Sequence, residues 1–163
     1  MTQNRKNILI LNVGNVLWKD EGIGYHVIER LKKMPLPADV EFVDGSVLGN
    51  KLLYHFEGRK KVIVIEMIKR GGAPGTIYRY TDEEINELQE GRDCTVPEWE
   101  FMNEVHMSRL IGTQPDEMVF ICVEPEDTGE NSLSCEVGLS PTLRNKVPEI
   151  IEMVMKEIVA MQS

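Results

Sequence analysis

Apolar runs of β-forming residues alternate along this chain with segments whose apolar residues recur at helical spacing. This alternation constrains the fold more than any other feature. Uninterrupted runs of this kind are typical of strands that are buried on both faces of a parallel sheet. Four such runs are NILILNV at 7–13, VEFVDG at 40–45, KVIVIEMI at 61–68 and EMVFICVEP at 117–125.

The segments between these runs carry signals for helices and for one shorter strand. A shorter strand, GTIYRY, is predicted at 75–80. Helices are predicted at 22–33, from Ser46 to about Phe56, from Thr81 to about Gly91, at 98–111, and from Ser140-Pro141 to near the C-terminus. Thr81-Asp82-Glu83-Glu84 matches a capping box, and proline is suited to the first turn of a helix.

Strand–helix–strand order predicts parallel βαβ units with right-handed crossovers. With 163 residues, the chain has the size of one ordinary domain. We therefore predict a single domain over 1–163, an α/β fold of the three-layer α/β/α sandwich type. Its twisted, mostly parallel sheet would carry helices on both faces.

Charge and composition exclude several classes of function. The net charge is −9 and no Lys/Arg-rich tract is present, so nucleic-acid binding is not expected. No stretch approaches the roughly 20 apolar residues of a membrane-spanning helix, so membrane insertion is not expected either. The three cysteines, Cys94, Cys122 and Cys135, lack paired spacing and are predicted to be reduced thiols in a cytoplasmic protein.

The loop GNVLWKDEGIG, residues 14–24, follows the first predicted strand and contains Asp20 and Glu21. A dinucleotide-binding turn would need glycines at closer spacing, and these two carboxylates would repel a pyrophosphate. The loop is better suited to a cation, although acidic residues at a helix N-terminus also have a purely structural explanation.

Glu66 interrupts the apolar run at 61–68 near its end, where an unpaired charge is expensive to bury. The ends of parallel strands meet at one edge of a sheet, where ligands bind in folds of this class. Glu66 is therefore predicted to face the loop that carries Glu21. A salt bridge to Lys69 or Arg70 is the structural alternative.

The stretch ILILNVGNVLWKDEGIGYHVIERL resembles the N-terminal signature of the hydrogenase maturation proteases, approximately G-N-x-L-x-x-D-[DE]-G-x-G. Residues 14–24 match each fixed position of that signature. The similarity continues through VEFVDGSVLG, KKVIVIEMIKRGGAPGTIYR and CEVGLSPTLRNKVPEI, and so extends over nearly the whole chain.

The resemblance implies metal ligation by Glu21, by Glu66 and by a third residue before the helix at 98–111. The family usually has aspartate at the position of Glu66 and histidine at the third position. Here Glu98 occupies the third position, so the site would be formed by three carboxylates. His106 is the alternative third ligand, but it lies eight residues further along the chain.

The resemblance also implies an activity. These proteases remove the C-terminal extension of a [NiFe] hydrogenase large-subunit precursor after nickel insertion. Nickel would arrive with the substrate protein, and no organic cofactor is implied. Glu21 and Glu66 would be catalytic, whereas Gly14, Asn15, Asp20 and Gly45 would contact the substrate. Whether the metal or a carboxylate activates the attacking water is left open, and an inactive relative that binds a hydrogenase subunit without cleaving it is the alternative function.

Overall fold

The computed structural model describes residues 5–47, 49–91 and 99–162. Its sheet has five strands in the order β2-β1-β3-β5-β4, in which only β4 runs antiparallel to its neighbour. The strands are β1 (Ile8–Asn12), β2 (Val40–Asp44), β3 (Lys61–Met67), β4 (Ile77–Thr81) and β5 (Glu117–Val123). The predicted mostly parallel sheet is confirmed.

Helices cover both faces of this sheet. They are α1 (Ile23–Leu31), α2 (Leu53–Phe56), α3 (Asp82–Glu90), α4 (Trp99–Ile111) and α5 (Pro141–Gln162). Apolar residues of α1 and α5 pack with Ile63 and Ile65 on one face of the sheet. Those of α2, α3 and α4 pack with Val62 and Val64 on the other face. The three-layer α/β/α sandwich predicted from the alternating pattern is therefore confirmed.

The region from Gly45 to Phe56 differs from the predicted helix. It forms two short 3₁₀ turns, 45–47 and 49–52, before the single turn of α2. Ser46 does not cap a helix, because its backbone N–H and its hydroxyl both donate to Asp44 Oδ1, at 3.1 and 2.7 Å. Gly49 lies inside the predicted helix, and glycine has a low propensity for the interior of a helix.

The connections place the ends of α3 and α4 relative to the sheet. Only residues 112–116 separate α4 from the start of β5, so α4 ends at the amino edge of the parallel strands and begins toward their carboxyl edge. Helix α3 follows the antiparallel β4 directly and runs toward the same carboxyl edge. In the described part of the chain, no helix combines the length and the apolar character needed to cross a bilayer.

Candidate functional site

Polar side chains cluster where the parallel strands end. Asn12, the last residue of β1, is buried, and its amide donates to the carbonyl of Gly14 and to Asp44 Oδ1, both at 3.0 Å. Asp44 is the last residue of β2, and Glu66 lies one residue before the end of β3. The carboxyl edge of the sheet therefore holds the predicted acidic residues together with an amide that fixes the start of the loop.

Glu66 is 1% exposed. Its Oε1 accepts a hydrogen bond of 2.9 Å from the backbone N–H of Met67, which fixes the carboxyl group at the end of the strand. Because side chains alternate along a strand, Glu66 lies on the face of Val62 and Val64, the face that α4 covers. The predicted salt-bridge alternative does not apply to Lys69, whose ammonium group pairs with Glu130.

Gly14 lies between the two candidate acidic residues. A Cβ atom added to Gly14 would lie 2.0 Å from the carbonyl oxygen of Glu21 and 3.4 Å from Glu66 Oε1. The backbone of Glu21 and the side chain of Glu66 therefore approach each other across this glycine. Any larger residue at position 14 would collide with the Glu21 backbone, so the packing of this loop requires glycine.

Gly14→Ala is expected to separate the Glu21 loop from the end of β1. The methyl group would overlap a backbone oxygen, which cannot rotate away as a flexible side chain can. We expect a loss of about 1–3 kcal/mol in the free energy of unfolding, the usual cost of overpacking. Urea denaturation followed by circular dichroism measures this loss. Glu57→Gln, an exposed substitution beyond α2, is the control.

Asp20 holds the first loop in place. It is fully buried, and its carboxylate accepts hydrogen bonds from the backbone N–H groups of Glu126, Asp127 and Ser140 at 2.8–2.9 Å. The Ser140 hydroxyl donates a fourth bond of 2.9 Å. The carboxylate points into the protein and joins the first loop to the start of α5. That Asp20 contacts the substrate stays a prediction.

Two other predicted substrate-contacting residues also have local structural partners. A Cβ added to Gly45 would lie 2.8 Å from the carbonyl oxygen of Asn12, so this buried glycine allows close packing at the end of β2. Asn15 is half-buried, and its Oδ1 accepts a hydrogen bond of 2.9 Å from the backbone N–H of Leu17. Asn15 therefore shapes the loop between β1 and α1.

Lys19 joins the first loop to the segment between β5 and α5, which was not predicted. Its backbone has a φ of +43°, and its N–H donates to the carbonyl of Glu136 at 2.9 Å. Its ammonium group pairs with Asp127 and Glu136. The hydrogen bonds to Asp127 and then to Glu136 raise the pKa of Lys19 above its usual value. These ion pairs lie far apart in the sequence, so no local pattern could have revealed them.

Glu124, just after β5, organises the loop that follows β3. Its Oε1 accepts hydrogen bonds from the backbone N–H groups of Arg70 and Gly72, at 2.8 and 2.9 Å, and from the Tyr78 hydroxyl at 3.3 Å. This buried carboxylate thereby positions the start of the loop between β3 and β4. The only sequence signal for this role was an acidic residue at a strand end.

The third predicted ligand, Glu98, lies outside the described residues. His106, the alternative, is engaged elsewhere, because its Nε2 lies 2.6 Å from Oδ1 of Asn86 on α3. His106 is also seven residues beyond the start of α4, about 10 Å along the helix axis. Within the ranges that the structure describes, no group of three His, Cys, Asp or Glu residues could hold a metal ion by itself.

The described part of the site thus holds the rigid, buried carboxylate of Glu66 and, across Gly14, the backbone of Glu21. Carboxylate oxygens are hard ligands, and two of them can complete the coordination of a cation that already has other ligands. A buried carboxylate is also stabilised by a cation, since an isolated charge is costly to bury.

Comparison with known proteins gives a consistent match. A family model described as hydrogenase maturation protease matches residues 25–157. The hydrogenase 2 maturation protease of Escherichia coli is 31% identical over 150 residues, which cover 91% of this chain and 88% of that protein. The hydrogenase expression/formation protein HoxM of Azotobacter vinelandii is 32% identical over 122 residues, 74% of this chain and 59% of that protein. The chain spans about three fifths of the length of several curated relatives that it matches.

Solved structures agree with the fold. The hydrogenase maturating endopeptidase HybD from E. coli superposes with a TM-score of 0.83 at 28% identity, covering 95% of this chain and 93% of that one. The [NiFe] hydrogenase maturation protease HybD from Thermococcus kodakarensis gives a TM-score of 0.68 at 22% identity, covering 93% and 99%. The second likeness is evidence for the fold alone.

Proposed function

This chain belongs to the hydrogenase maturation protease family, and we propose that it is an endopeptidase acting on a [NiFe] hydrogenase large-subunit precursor. It removes the C-terminal extension of that precursor after nickel insertion, by recognising the nickel that the precursor carries. The observation that most supports this proposal is that the backbone of Glu21 and the side chain of Glu66 both approach Gly14 at the carboxyl edge of the sheet.

In this mechanism Glu21 and Glu66 complete the coordination of the substrate's nickel and so hold the scissile bond beside it. A metal in this position can polarise the scissile carbonyl or supply hydroxide. Glu66 is suited to orientation, because its Oε1 is fixed by the Met67 N–H and its carboxyl group is shielded from water. Glu21 lies on a loop that Asp20 anchors, so its position is also defined.

We propose Glu98 as the third ligand. It immediately precedes α4, which begins toward the carboxyl edge and packs on the same face of the sheet as Glu66. An all-carboxylate site would select nickel less strongly than one with an imidazole, because imidazole suits nickel better. Selectivity would then depend more on the ligands that the precursor provides.

The alternative function is binding of a hydrogenase subunit without cleavage. It rests on the glutamate at the position where the family usually has histidine. Intact-mass analysis of the nickel-loaded precursor after incubation with this protein distinguishes the two, with a nickel-free precursor beside it. We expect nickel-dependent loss of a C-terminal peptide. Binding without loss of mass would favour the alternative, and Glu98→His would then be the first variant to test for restored cleavage.

Glu21→Gln is expected to lower the rate of precursor cleavage by about 100-fold or more, the usual effect of losing a charged group at a reacting centre. The amide has nearly the same shape but lacks the negative charge that a cation requires. Single-turnover cleavage followed by intact mass measures the rate. Glu57→Gln, at an exposed position beyond α2, is the matched control. Cleavage by the Glu21 variant at the control's rate would remove Glu21 from the ligand set.

A further inference from the structure

A basic cleft lies between α1 and α5, outside the acidic site. It has a volume of about 270 Å³, and its charged and polar lining consists of His26, Glu29 and Arg30 of α1, Lys33 just beyond α1, and Arg144 of α5. Gly138, Leu139 and Arg144 also line a larger open depression of about 910 Å³ beside the first loop. The two depressions therefore adjoin each other at these three residues.

The cations of this cleft lack acidic partners. Among the residues that the structure describes, no carboxylate forms an ion pair with Arg30, Lys33 or Arg144, whereas the adjacent Lys32 pairs with Glu29 at 2.8 Å. Arg144 donates one hydrogen bond of 3.2 Å to the carbonyl of Leu139. Three such cations around one cleft, on a chain with a net charge of −9, produce a local field that attracts anions.

His26 adds a polar group whose hydrogen-bonding capacity is incompletely used. Its Nε2 is buried and has no hydrogen-bond partner within the described ranges. Burial, and then the charge of Arg144, lower the pKa of His26, so the imidazole is neutral near pH 7. Buried polar atoms without a partner are rare in native proteins and often indicate a missing water, ion or ligand.

We propose that this cleft is a docking site for carboxylate side chains of an acidic segment in the partner protein, which rests on the proposed function above. The larger depression next to the cleft favours a polypeptide over a small anion. That depression is lined by Glu126, Asp127 and Glu136 as well as by Lys19, and it presents Val137, which is 67% exposed. An extended segment would therefore place its acidic side chains only at Arg30, Lys33 and Arg144, and its apolar or basic side chains in the depression.

The test is charge reversal in the cleft, with binding and cleavage measured separately on the nickel-loaded precursor. Arg144→Glu and the double variant Arg30→Glu/Lys33→Glu are expected to raise Kd and KM about 10-fold each, because charges of opposite sign across an interface set affinity and encounter rate. The rate of single-turnover cleavage at saturation should change less than twofold. The affinity of the unaltered protein should fall with added salt more steeply than that of the variants.

Lys156→Glu is the matched control, an exposed charge reversal near the other end of α5. Variants whose Kd and KM equal those of the control would overturn the docking site while leaving the protease proposal intact. Weaker binding by the cleft variants with no cleavage by any protein would support the docking site and overturn catalysis. Inorganic phosphate is added as a small-anion probe. Phosphate binding that depends on Arg144, without any effect of the variants on precursor binding, would assign the cleft to a small anion and overturn the proposal.

Discussion

Glu66→Gln is expected to lower the rate of precursor cleavage by about 100-fold or more while the protein stays folded. The amide oxygen can still accept the Met67 N–H, so the local hydrogen bond of 2.9 Å survives. Removing a buried negative charge also relieves a desolvation cost, and we expect the free energy of unfolding to stay equal or to rise by about 1 kcal/mol. Loss of activity together with retained or increased stability is typical of a residue that is kept for function.

Glu66→Asp distinguishes a requirement for charge from a requirement for reach. The family resemblance implies aspartate at this position, so this variant is expected to retain cleavage within about 10-fold of the unaltered protein, roughly 1.4 kcal/mol in transition-state energy. Intact-mass time courses on the same nickel-loaded precursor measure both variants. An amide variant that cleaves as fast as the aspartate variant would show that the carboxylate has no part in the reaction.

Asp20→Ala is expected to destabilise the protein by about 3–5 kcal/mol, the range found when one partner of a buried charged network is removed. Three backbone N–H groups would lose their acceptor, that of Ser140 in a buried position and those of Glu126 and Asp127 in partly buried ones. The anchor of the first loop to α5 would be lost with them. Urea denaturation followed by circular dichroism measures the change in the free energy of unfolding.

Two variants sharpen this prediction. Asp20→Asn keeps one acceptor oxygen but turns an NH₂ group toward a donor, so its loss should be intermediate. Glu136→Gln disrupts an exposed ion pair with Lys19 in the same region and should cost less than about 1 kcal/mol. If Asp20→Ala were no more harmful than Glu136→Gln, the four hydrogen bonds to Asp20 would have no net role in stability.

The sequence alone was sufficient for the local elements. Strands β1, β3 and β5 were predicted correctly from their apolar runs, because a strand that is buried on both faces must be apolar at successive positions. The capping box of α3 is also confirmed, with Glu84 N–H donating to the Thr81 hydroxyl at 3.2 Å and Glu84 Oε2 accepting from Thr81 N–H at 2.8 Å. The helix predicted from Ser46 was wrong over its first half, because the Ser46 hydroxyl donates to Asp44 Oδ1 and so does not cap a helix.

The sequence also predicted that Glu21 and Glu66 belong to one edge of the sheet, since parallel strands all deliver their ends there. It could not separate Asp20 from Glu21. The two acids are adjacent in one loop, yet the tertiary structure buries Asp20 against backbone groups 106–120 residues away in sequence. The groove between α1 and α5 likewise joins residues from both ends of the chain. The role of Asp20 and of the cleft residues depends on which donors and charged groups the fold brings within about 3 Å of them. These partners are distant in sequence, so no local pattern of residues predicts them.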